Sequence, residues 1–63
     1  MSNITKIAVD AMGGDGSPNK VIDGIIHHSK NDINTFYKIF GDENKIKELI
    51  FDKIDKNSFE IIH

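Results

Sequence analysis

Three features of this 63-residue sequence predict a parallel α/β fold of β-α-β-α-β order. Three short runs, Lys6–Asp10, Thr35–Phe40 and Phe59–His63, are rich in β-branched and aromatic residues and read as strands. The two segments between them change period and repeat apolar residues at helical spacing. The connections are too long for hairpins and suit parallel crossovers.

Each element has its own signal. Lys6–Asp10 carries Ile7 and Val9 and runs into glycine, the pattern of a short buried strand. From Ser17 onward, Val21, Ile22, Ile25 and Ile26 form one apolar stripe. Ser17 is the expected cap of this helix, and Pro18 suits its first turn, where a missing N–H costs nothing. Gly24 lies inside the stripe and costs about 0.5–1 kcal/mol relative to alanine. Close approach of the helix to a sheet would explain it. Asn31 and Asp32 offer a stop, since asparagine accepts the left-handed conformation found after helix ends. Thr35–Phe40 is the second strand, ended by Gly41. Asp42 then caps a second helix, with Glu43 at the positive end of its dipole. Ile46, Leu49, Ile50 and Ile54 form its stripe, Lys53–Ser58 is a polar turn, and Phe59 begins a third strand.

Composition narrows the class. Eight lysines against ten acidic residues give a net charge of −2, and the lysines form no basic stripe. That argues against a nucleic-acid binder. The absence of cysteine removes disulfides and thiolate metal sites, and the three histidines lack the partners of a structural zinc. No apolar run approaches the roughly 20 residues of a membrane span. The first six residues carry no cleavable hydrophobic region, so the expectation is a cytoplasmic protein. Twelve isoleucines and no arginine point to a nucleotide-composition bias rather than to a function.

The topology raises a physical difficulty. Right-handed crossovers progressing in one direction put both helices on one face of the sheet. Parallel sheets are normally covered on both. Three strands in the order written would leave an apolar face bare, so residues 1–63 are expected to be the N-terminal part of one larger α/β domain.

In open parallel sheets ligands gather beyond the carboxyl ends of the strands. The Asp10–Ser17 loop, the Gly41–Asn44 turn and His63 should reach that edge. Gly13, Gly14 and Gly16 leave backbone N–H groups unobstructed beside a helix start, where an anion such as phosphate fits. The candidate phosphate- or substrate-binding residues are Asp10, Gly13, Gly14, Asp15, Gly16 and Ser17. A simple tight turn accounts for the same glycines. Nucleotide fingerprints do not decide the matter: Asn19 occupies the third glycine position of the dinucleotide pattern, and no Gly-Lys-Ser/Thr tail makes a P-loop. Asp10 either fixes the loop by accepting its amides or, with Asp15, joins a divalent metal, although two carboxylates do not define a site. Lys20 is within reach of an anion or simply solvated. His27 and His28 fall near the far end of the first helix, roughly a dozen ångströms from its start.

The run Lys6-Ile7-Ala8-Val9-Asp10-Ala11-Met12-Gly13-Gly14-Asp15, followed by Pro18, closely resembles the start of the bacterial phosphate acyltransferases of phospholipid synthesis (PlsX). Val21-Ile22-Asp23-Gly24, Phe40-Gly41-Asp42-Glu43 and Glu60-Ile61-Ile62-His63 resemble that family's first helix, second strand and turn, and third strand. The resemblance implies a phosphotransacetylase/isopropylmalate-dehydrogenase-like fold, of which this chain is an incomplete part. It implies an acyltransferase that passes a long-chain acyl group from acyl carrier protein to inorganic phosphate. A homodimer, at most peripheral membrane contact, and no cofactor are further implications. Only Asp10, Gly13, Gly14 and Asp15 carry over as motif positions, and residues 1–63 alone are expected to be inactive. A phosphate- or nucleotide-binding module without acyl transfer, and a small interaction protein docking through its bare sheet face, are the alternatives.

Overall fold

A computed structural model describes residues 4–63 of the chain. Strand β1 (Thr5–Asp10) leads through a glycine loop to helix α1 (Asn19–Asn31). Strand β2 (Thr35–Phe40), helix α2 (Glu43–Ile50), a single 3-10 turn (Lys56–Ser58) and strand β3 (Phe59–Ile62) follow. The strands are parallel in the order β1-β2-β3. The β-α-β-α-β order expected from the periodicities is the one observed.

Ile22 and Ile25 of α1 and Ile46 and Ile50 of α2 share one buried cluster with Tyr37 and Ile39 of β2. Both helices therefore cover the same face of the sheet. Ile22, Ile39 and Ile46 are fully buried, and each contributes about 1.5–3 kcal/mol of hydrophobic stabilisation. Side chains alternate across a strand, so Phe36, Lys38 and Phe40 face the other side, which no element among the described residues covers. In register with them stand Lys6, Ala8 and Asp10 on β1 and Glu60 and Ile62 on β3. The open face is thus a mixture of apolar and charged residues rather than a purely apolar sheet.

Several local expectations are corrected. Strand β1 is not a buried strand: it is an edge with one face open, and only Val9 along it is partly covered. Ser17 does not cap α1. The N-cap position belongs to Pro18, with no side-chain cap, and the Ser17 hydroxyl donates backward to the Gly13 carbonyl. Gly24 faces open space on the exposed side of α1, so helix–sheet contact does not explain it. Helix α1 ends without a left-handed residue: Asp32, at the C-cap, is extended at φ −142°. The Asn31 amide instead donates to the His27 carbonyl at 3.3 Å. Ile54 lies beyond the end of α2 and packs on the core from the following turn. Helix α2 does start as expected, with the Asp42 carboxylate accepting from the Lys45 amide at 3.2 Å.

Candidate functional site

The carboxyl ends of all three strands lie level, because the ladder continues one residue past each pairing. The Ala11 amide donates to the Phe40 carbonyl at 2.9 Å, and the Gly41 amide donates to the Ile62 carbonyl at 3.1 Å. The glycine loop, the Gly41 turn and His63 therefore stand side by side along one edge. This is the edge where parallel sheets bind ligands.

Asp10 shapes the loop. Its carboxylate accepts from the Met12 amide at 3.0 Å, and its second oxygen lies 3.2 Å from where a Cβ on Gly13 would stand. Gly13 thus lets the chain wrap closely round the carboxylate. Gly14 and Gly16 have φ of +89° and +80°, a region that other residues enter at a cost of roughly 1–2 kcal/mol. A Cβ on Gly16 would meet the Lys20 side chain at 2.8 Å, so the lysine stem folds back across the loop. That places a cationic residue against a loop that also carries Asp10 and exposed Asp15. Gly41 is needed for packing: a Cβ there would meet the Met12 Cγ at 2.7 Å and the Ile46 Cδ1 at 3.1 Å. Met12 thereby bridges the first and second turns.

The loop's donors divide into two groups. The amides of Ala11, Met12 and Lys20 are taken by Phe40, Asp10 and Gly16. Those of Gly14, Asp15 and Gly16 find no partner among the described residues. An oxyanion settling here would gain several N–H donors beside the positive end of α1. No group of three or more histidine, aspartate or glutamate side chains converges to hold a metal among the described residues. Of the sequence candidates, Asp10, Gly13, Gly14, Asp15, Gly16 and Ser17 all fall on this one loop.

Shallow hollows flank the site rather than enclosing it. One of about 370 Å³ is lined by Ser17, Pro18, Asn19, Lys45, Glu48 and Leu49, between the start of α1 and α2. A roomier one of about 460 Å³ lies beside Phe51, Ile54 and Phe59, away from the loop and its donors. The loop chemistry, not the roomier hollow beside Phe51, marks the candidate site.

Two polar contacts were not foreseen from the sequence. His63 Nδ1 accepts the Glu43 amide at 3.2 Å, joining the end of β3 to the first turn of α2. At the opposite edge, His28 Nδ1 lies 2.6 Å from the hydroxyl of buried Tyr37, the rings meeting edge to face. Burial, and then the nearby Asp32 charge, push the Tyr37 hydroxyl's pKa upward. The spacing of nine residues between His28 and Tyr37 spans a helix end and a turn, so no local pattern announces the pair. Near the site, Glu43 pairs with Lys47 at 2.8 Å, and this partner holds its carboxyl below the usual range.

Architecture and loop together define a parallel α/β unit with a glycine-rich turn at its carboxyl edge. Comparison with known proteins makes the assignment specific. The family described as "Fatty acid synthesis protein" matches residues 5–63. The phosphate acyltransferase of Pelagibacter ubique (strain HTCC1062) is 64% identical over 63 residues, which is 100% of this chain and 19% of the relative. That of Ligilactobacillus salivarius (strain UCC118) is 46% identical over 57 residues, covering 90% of this chain and 16% of the relative. That of Rhodospirillum rubrum is 44% identical over 50 residues, covering 79% and 14%. The chain belongs to the fatty acid synthesis protein family, whose members named here are phosphate acyltransferases, and it spans less than a fifth of their length.

Proposed function

We propose that this chain supplies the phosphate-binding loop of an acyltransferase that makes acyl phosphate from acyl-acyl carrier protein and inorganic phosphate. The observation that carries this reading is the run of unpartnered amides from Gly14 to Gly16, beside the start of α1. Family membership supplies the chemistry those donors would serve. A phosphate oxygen attacks the thioester carbonyl, a tetrahedral oxyanion forms, and its collapse breaks the C–S bond and expels the carrier thiolate. The loop's part is to hold phosphate in a fixed orientation against the acyl donor, converting an encounter into a positioned attack. The stem of Lys20, folded over Gly16, would bring positive charge to offset Asp10 and Asp15. The enzyme is read as cytoplasmic, homodimeric and at most peripherally membrane-bound in its complete form. These residues would form part of a single larger domain of the phosphotransacetylase/isopropylmalate-dehydrogenase-like type.

The test replaces the aligned segment of the Pelagibacter ubique relative with these 63 residues and assays acyl phosphate formation. In that chimera Gly14→Ala adds a Cβ where nothing lies within 4 Å, but the backbone there prefers glycine at φ +89°. The expected result is a KM for phosphate raised about tenfold, the scale of one lost hydrogen bond to a charged ligand, with KM for the acyl carrier unchanged. A folded chimera that binds phosphate without forming acyl phosphate would favour a binding module instead. An unchanged phosphate KM in Gly14→Ala would remove the loop from the site.

A further inference from the structure

We draw no further inference here: the strongest candidate, the apolar hollow of about 460 Å³ between the end of α2 and the start of β3, lined by Ile50, Phe51, Ile54 and Phe59, is an unpartnered surface, and nothing in the structure shows what covers it.

Discussion

Single residues at the carboxyl edge act mainly through the backbone. Gly16 and Gly24 show the contrast, since both are glycines and only one is required. Gly16 sits at φ +80° with the Lys20 stem 2.8 Å from where a Cβ would be. Gly24 lies mid-helix with nothing within 4 Å. Gly16→Ala should destabilise the fold by about 1–2 kcal/mol, the cost of a left-handed residue bearing a side chain. Gly24→Ala should stabilise it by roughly 0.5–1 kcal/mol, because alanine loses less conformational entropy in a helix. Denaturant midpoints of the two variants check both signs, and a stabilising Gly16→Ala would contradict the loop geometry. Asp10 belongs at this scale as well: its bond to the Met12 amide makes it a builder of the loop, whatever else it touches. The sequence showed which residues form the loop, but not which of its amides remain open.

At the scale of elements, the junction between α1 and β2 is a second organised edge. Asp32 accepts the Asn34 amide at 2.9 Å and lies 3.9 Å from His28 Nε2, while His28 meets Tyr37 of β2. The Asn34 amide and then the Thr35 hydroxyl hold the Asp32 carboxyl below its ordinary value of 3.8, against an opposing effect of burial, with the His28 charge adding least. A folded value below the unfolded one means the carboxylate stabilises the fold fully above that ordinary value. The contribution declines as pH falls through the lowered folded value. Asp32→Ala should therefore flatten the acid limb of the stability curve between about pH 5 and pH 2, measured by denaturant midpoints. A limb of unchanged steepness would contradict the assignment. Elements with both a cap and a stripe were legible beforehand. Helix α2 begins at Glu43 behind its Asp42 cap as its residues suggest. Helix α1, which lacks a side-chain cap, starts later than Ser17 implied.

For the whole molecule, the decisive fact is that both helices sit on one face of a three-stranded sheet. Edge strand β1 stays exposed, with Ile7 at 37%, and Phe40 on the open face is 40% exposed. The matched phosphate acyltransferase of Pelagibacter ubique is more than five times as long as this chain. The isolated 63-residue chain is expected to release no acyl phosphate from acyl carrier protein thioester and phosphate. Turnover by the purified chain, above a control lacking protein, would overturn that expectation.

Periodicity and turn chemistry by themselves determined the element order, the span Thr35–Phe40, the Asp42 cap and the location of the glycine loop. These are local properties, set by side-chain spacing, φ preferences and hydrogen bonds a few residues apart. Tertiary structure alone decided the exposure of β1, the bond of the Ala11 amide to Phe40, and the meetings of His63 with Glu43 and of His28 with Tyr37. Each depends on where a neighbouring strand or helix end stands in space, and spacing along the chain carries no record of that.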